Sequence, residues 1–256
     1  MSLRLRTAMV SDVGLIRSNN EDAAHAGTRL LAVADGIGGA PAGELASDIV
    51  IRTLIALEDV PDIGEPLDAL RAAVEDANRQ IDAATQADPA RQGMGTTVTA
   101  LLLTGDRFAL LHVGDSRGYL CRDRALSRIT RDDTFVQALV DAGVLSPEAA
   151  RDHPQRSLIT QAVQGGEFEP TLRLLTPQPG DRYLLCSDGL SDFVSDEAIE
   201  HTLLNCPDPQ LCAERLVRLA LRAGGPDNVT VIVSDVAFAD VADGPGRADL
   251  SDVAAG

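Results

Sequence analysis

Five short acidic signatures punctuate the chain: Asn20-Glu21-Asp22, Asp35-Gly36-Ile37-Gly38-Gly39, Gly114-Asp115-Ser116-Arg117, Ser187-Asp188-Gly189-Leu190-Ser191-Asp192 and Gly225-Pro226-Asp227-Asn228. Asp35, Asp115 and Asp188 each follow an apolar run, at residues 30–34, 108–113 and 183–186, and Asp227 precedes one at 229–233. Apolar runs of this length read as strands, and strands bring their ends together at one edge of a sheet. The carboxylates are therefore placed to share one pocket. Two unit charges about 5 Å apart repel by roughly 3 kcal/mol at an effective dielectric near 20. A pocket holding four or five of them needs cations, and hard oxygen-only ligands select Mg²⁺ or Mn²⁺. The chemistry this predicts is metal-assisted hydrolysis.

The elements that must position these residues follow in the order strands, two helices, strands, a helical insert, strands, two helices and a final strand. Residues 43–57 place Leu45, Ile49, Val50, Leu54 and Leu57 on one helical face, and residues 67–84 do the same with Leu67, Leu70, Val74, Ala77 and Ile81. Residues 98–103 and 108–113 flank Thr104-Gly105-Asp106-Arg107, a hairpin signal, and residues 117–121 and 125–129 predict a second hairpin. Short helical segments are expected at 133–143 and 147–153, framed by Ser146-Pro147 and His153-Pro154. A helix at 195–204 opens on a Ser cap with acidic first-turn residues, and a second at 209–222 ends at Gly224-Gly225. Strands apolar throughout, such as 30–34, require burial on both faces, which two packed sheets with helices outside supply.

With 256 residues, 45% of them hydrophobic, the chain can build one large core, and 3% aromatic content leaves that core to aliphatic side chains. A net charge of −17 argues against nucleic-acid binding through a basic surface. All 22 basic residues are arginine, which removes Schiff-base chemistry, lysine general bases and the P-loop signature. Cys121, Cys186, Cys206 and Cys212 lack CxxC spacing and read as small core residues. Neither a signal peptide nor an apolar run near the roughly 20 residues of a membrane helix is present, so a cytoplasmic protein is expected. Residues 1–237 read as one domain, with 130–166 as an insert and 238–256 as a disordered tail.

The ordered set Arg17, Asn20-Glu21-Asp22, Asp35-Gly36-x-Gly38-Gly39, Gly95-Thr96-Thr97, Gly114-Asp115-Ser116-Arg117, Ser187-Asp188-Gly189-Leu190-x-Asp192 and Asp227-Asn228 resembles the PPM, or type 2C, metal-dependent protein phosphatases. The resemblance covers residues from about 8 to 236 and is nearest to bacterial enzymes paired with receptor-like kinases. Residues 152–157 and 180–192 are similar to actinobacterial members. The resemblance implies an α+β fold, a four-layer αββα sandwich of two mostly antiparallel sheets. It implies that Asp35 bridges two metal ions, with Asp188 and Asp227 completing one site. Asp22 and the Gly36 carbonyl serve the other, supported by Glu21 through water. Asp115 and Asp192 match positions that help bind a weaker third metal. Arg17 matches a substrate-phosphate ligand. The expected catalytic residues are thus Arg17, Asp35 and Asp115, and the expected reaction is hydrolysis of phosphoserine and phosphothreonine in proteins with Mn²⁺ or Mg²⁺. The expected partners are phosphorylated proteins, Ser/Thr kinases among them, and a monomer is expected.

Each signature also has a plainer reading. Asp35-Gly36 alone is a common turn dipeptide. Arg17 could pair with Glu21 or Asp22, Asp115 could hydrogen-bond water, and Asp192 could cap a turn. His112, in mid-strand, reads as a satisfied core histidine, while His25, His153 and His201 read as structural or exposed.

Two departures from the family pattern matter. Ile37 stands where some relatives carry a histidine that protonates the leaving oxygen, so the proton must come from elsewhere; a metal-bound water near Asp115 and Asp192 is the expected source. Thr130-Arg131-Asp132-Asp133 stands where many relatives have Asp-His, at the start of the insert that corresponds to a mobile flap. Pro41 breaks a GxGxxG reading, and no Gly-x-Ser-x-Gly elbow occurs. Alternatives remain: a pseudophosphatase that binds phosphoproteins without turnover, and a phosphatase dedicated to one regulatory protein.

Overall fold

A computed structural model describes residues 3–39 and 42–239. Its strands are β1 (Leu3–Asp12), β2 (Asp22–Ala26), β3 (Leu30–Ile37), β4 (Gly95–Thr96), β5 (Val98–Thr104), β6 (Arg107–Val113), β7 (Arg117–Arg122), β8 (Ala125–Arg128), β9 (Thr171–Leu175), β10 (Arg182–Cys186) and β11 (Val229–Phe238). The helices are α1 (Ala42–Ile55), α2 (Pro66–Ala87), α3 (Phe135–Asp141), α4 (Pro147–Arg151), α5 (Asp188–Ser191), α6 (Asp196–Asn205) and α7 (Pro209–Arg222). One sheet runs β1-β11-β10-β7-β8; the other runs β2-β3-β5-β6-β9, with β4 paired to β3. Every named strand pairing is antiparallel.

Three apolar layers explain why the apolar strands carry no polar face. Leu30, Ala32, Ala34, Ala100 and Leu102 meet Val50, Leu54, Val74 and Ile81 of α1 and α2. The alternate residues Leu31, Val33, Leu101, Phe108 and Leu110 face Tyr183, Leu185, Ile232 and Val236 between the sheets. On the far side Leu184, Cys186, Val231 and Val233 meet Leu203, Leu216 and Val217 of α6 and α7. Successive strand residues point to opposite faces, so one run of the chain supplies two cores. At the centre the Phe108 and Tyr183 rings pack edge to face, with centroids 5.0 Å apart at 71°. The expected αββα sandwich is the observed architecture.

Local chemistry sets the boundaries. Ser195, Ser146, Thr134 and Asp208 cap α6, α4, α3 and α7, each accepting a backbone N–H of the first turn. α3 starts at Phe135 rather than Asp133 because Thr134 is its cap, while Asp133 turns inward and accepts the Gly114 N–H at 3.0 Å. Cys121, Cys186 and Cys212 are buried and Cys206 is half-buried, none in a disulfide. Burial pushes the Cys186 and Cys212 thiols up to about 12, so they are inert core groups. The last strand runs through Phe238, one residue past the expected domain boundary; the expected tail beyond Ala239 lies outside the described residues. Among the described residues no helix is long and apolar enough to cross a membrane.

Candidate metal and phosphate site

The ends of β2, β3, β10 and β11 converge, and the acidic signatures converge with them. Asp22 opens β2 directly opposite Asp35 of β3 in the antiparallel register. Ser187, between β10 and α5, donates its hydroxyl to Asp22 Oδ2 at 2.8 Å and accepts the Thr230 N–H of β11 at 3.0 Å. Asp188 follows at the first position of α5. Asn228 fixes the remaining loop: its Oδ1 accepts the Glu21 N–H at 2.9 Å, and its Nδ2 donates to the Val13 and Asn19 carbonyls at 2.9 Å each. Gly36 sits where α1 crosses the end of β3. A β-carbon there would strike the Gly43 carbonyl and lie 2.6 Å from the Glu21 carbonyl, so only glycine permits this approach.

The electrostatics match the crowding. Burial pushes the Asp22 carboxyl up to about 6, against hydrogen bonds from Thr230 and Ser187 that favour its charged form, and Asp227 pushes it further. Burial drives the Asp35 carboxyl well above the carboxylate range, and repulsion from Asp22, Asp188 and Asp115 adds to it. Asp188 is driven the same way by burial and by Asp115, Asp192 and Asp227. Asp22 Oδ1 is buried with no hydrogen-bond partner. These oxygen-only groups fit a hard divalent cation, which would satisfy that orphaned oxygen and offset the mutual repulsion. Among the described residues no three His, Cys, Asp or Glu side chains close around an ion unaided.

Arg17 donates from Nη2 to Asp227 Oδ2 at 2.7 Å. Its partner is thus Asp227, not Glu21 or Asp22, because Asn228 draws the 225–228 loop against the turn that carries Arg17. The pairing raises the Arg17 pKa, and half of the side chain stays exposed beside the carboxylates. Asp115 and Asp192 stand on the other flank. Burial, with repulsion from Asp132 and Asp192, pushes the Asp115 carboxyl up to about 7. Asp192 is also raised, by burial first, and its nearest cation is Arg156 at 3.8 Å. The Asp192 N–H bonds the Asp188 carbonyl at 2.8 Å at the end of α5.

A cleft of about 530 Å³ opens on this flank between the 130–166 insert and α5–α6, lined by Asp115, Asp192, Arg117, Arg128, Arg151 and Arg156 among others. Arg117 grips Asp132 through Nε and Nη2, at 3.1 and 2.7 Å. His112 proves the buried core histidine expected: Nδ1 lies 2.9 Å from Thr99 Oγ1 and Nε2 lies 2.8 Å from the Arg131 carbonyl. His25 is structural, 2.6 Å from Glu58. Sequence reasoning gave no role to Ser187, Asn228 or Asp132. Only the position of Ser187 and Asn228 inside the acidic signatures hinted at theirs.

The chain is similar to known proteins over most of its length. The family described as "Protein phosphatase 2C" matches residues 17–218. The serine/threonine protein phosphatase PstP of Mycobacterium tuberculosis is 56% identical over 236 residues, 92% of this chain and 46% of PstP. This chain therefore spans about half the length of that relative. Protein phosphatase PhpP of Streptococcus pneumoniae is 35% identical over 236 residues, 89% of this chain and 96% of PhpP. The crystal structure of the PstP catalytic domain with two manganese ions superimposes with a TM-score of 0.88 at 54% identity, covering 93% of this chain and all of that one.

Proposed function

The chain belongs to the protein phosphatase 2C family, and from that membership we propose that it hydrolyses phosphoserine and phosphothreonine esters in proteins. The observation that carries this is the convergence of Asp22, Asp35, Asp188 and Asp227 at one strand edge with Arg17 beside them. Asp35, Asp188 and Asp227 would hold one divalent cation. Asp22 and the Gly36 carbonyl would hold a second, with Glu21 acting through water, and Asp115 and Asp192 would help hold a weaker third. When bound, a pair of such ions supplies hydroxide at neutral pH and offsets charge building on the phosphoryl oxygens.

The chain's own residues do the rest. Arg17, released from Asp227, presents its planar fork to two phosphate oxygens. Water oxygen bonds to phosphorus as the bond from phosphorus to the serine or threonine Oγ breaks. That Oγ leaves with a proton, giving the hydroxyl side chain and inorganic phosphate. Ile37 cannot supply the proton. Asp115, beside Asp192, would orient the water that supplies it.

In this reading residues 1–237 are the catalytic domain, with 130–166 as its flap. The protein acts as a monomer in the cytoplasm and reverses Ser/Thr kinases; its four free thiols suit that compartment. The test is phosphate release from a phosphothreonine peptide with and without Mn²⁺, for the native chain and for Asp188→Asn. Mn²⁺-dependent turnover that the substitution reduces at least a hundredfold is expected. Two bound metals without turnover would point instead to a phosphoprotein-binding pseudoenzyme. Turnover of one protein but not of varied peptides would point to a dedicated phosphatase.

A further inference from the structure

The turn between β1 and β2 carries the most exposed large apolar side chain among the described residues, Ile16 at 74%, directly after Leu15 at 67%. Single exposed apolar residues are ordinary on a protein surface. Two in succession on a backbone held this firmly are not. Leu15 N–H donates to the Gly225 carbonyl at 2.7 Å, Gly14 N–H donates to Asp12 Oδ1 at 2.8 Å, and Asn228 ties down the carbonyls of Val13 and Asn19. Gly14 has φ of 79°, and a β-carbon there would strike the Asp227 carbonyl and lie 2.9 Å from that of Gly225. Most of these anchors lie on residues 225–228, the loop that presents Asp227 to Arg17. The apolar pair is thus displayed in fixed register with the phosphate-gripping arginine.

We infer that Leu15 and Ile16 form an apolar subsite for the substrate side chain one or two positions from the phosphorylated serine or threonine. This rests on the phosphatase reading above and deepens it. The setting agrees: a β-carbon on Gly14 would strike the Asp227 carbonyl and the Leu15 N–H is held by the Gly225 carbonyl, so the pair borders the loop that carries the candidate cation ligand. A phosphoresidue at that site would have its own near neighbours along this border. Contact with these two side chains selects apolar flanks, since neither carries a charge or a hydrogen-bonding side chain to select polar ones.

The experiment compares kcat/KM for two phosphothreonine peptides that differ only in leucine or serine at the flanking positions, with p-nitrophenyl phosphate as reference. The native chain is expected to favour the leucine peptide about fivefold to tenfold, the effect of burying about half of one such side chain. Leu15→Ser with Ile16→Ser should bring the ratio to about one, and Ile16→Val should keep most of it. Both positions are exposed, so the variants are expected to fold, which thermal unfolding checks. A native ratio near one, or a preference that survives the double substitution, overturns the subsite. Concentration-dependent dimerisation abolished by Ile16→Ser, with the ratio unmoved, would assign the surface to a second copy and overturn it too. Absence of Mn²⁺-dependent turnover on all three esters would overturn the phosphatase reading and this inference with it.

Discussion

Asp115 is the residue whose chemistry is most open to measurement. Ile37 stands where some relatives carry a histidine, and Asp115 lies buried, with repulsion from Asp132 and Asp192, and its carboxyl raised to about 7. A group that helps deliver the leaving-group proton matters only where the leaving oxygen is basic. Asp115→Asn is therefore expected to slow a phosphothreonine peptide at least tenfold more than p-nitrophenyl phosphate, whose phenolate leaves unaided. Equal slowing of both esters would remove this role. The acidic signatures themselves were readable because each is local: a strand, a carboxylate and a glycine within a few residues. The partners were not. Arg17 meets Asp227 across 210 positions, and Ser187 bonds Asp22 across 165. Asp133 read as a departure from the family pattern, yet its carboxylate is consumed by the Gly114 N–H.

At the scale of elements, periodicity and caps located every helix longer than one turn among the described residues, because such signals lie within a dozen residues. Boundaries moved where a cap or a tertiary contact decided them, as at Thr134. The turn after α1 shows a contact that no pattern announced. Glu58 accepts the Arg29 N–H at 2.7 Å and lies 2.6 Å from His25 Nε2, joining α1 to the β2–β3 hairpin. Burial alone would raise its carboxyl, but the Arg29 and Leu30 N–H groups and His25 outweigh burial and hold it at about 2. A carboxyl lowered on folding contributes stability above its unfolded pKa, and the contribution fades as pH falls from about 5 toward 2. Glu58→Ala is expected to lower unfolding free energy by on the order of 2 kcal/mol at neutral pH. Urea titrations at about pH 7 and pH 3 check this, because the gap between variant and native should narrow at the lower pH. A gap that widens in acid would reverse the sign of the argument.

For the whole molecule the site is a liability in the folding free energy. Two sheets bring Asp22, Asp35, Asp188 and Asp227 together in a chain already at −17, and the three apolar layers must hold them there. Cations that bind the folded chain and not the unfolded one return that free energy by mass action, about 2.7 kcal/mol at a hundredfold excess over Kd. For a domain of this size that is a rise in Tm of roughly 5–10 °C. Asp35→Asn removes the carboxyl at the centre of the repulsion while keeping its volume. Without metal it is expected to melt above the native chain by a few degrees, and with Mn²⁺ its Tm should move little, so the order of the two proteins inverts as the ion is added. Calorimetry of both, with and without Mn²⁺, reads all four values. If the metal-free variant melts below the native chain, Asp35 stabilises the fold through its own contacts and the carboxylate cluster is not held against repulsion. If the variant keeps the native response to Mn²⁺, the ions bind elsewhere and the convergence at the strand edge is not the metal centre.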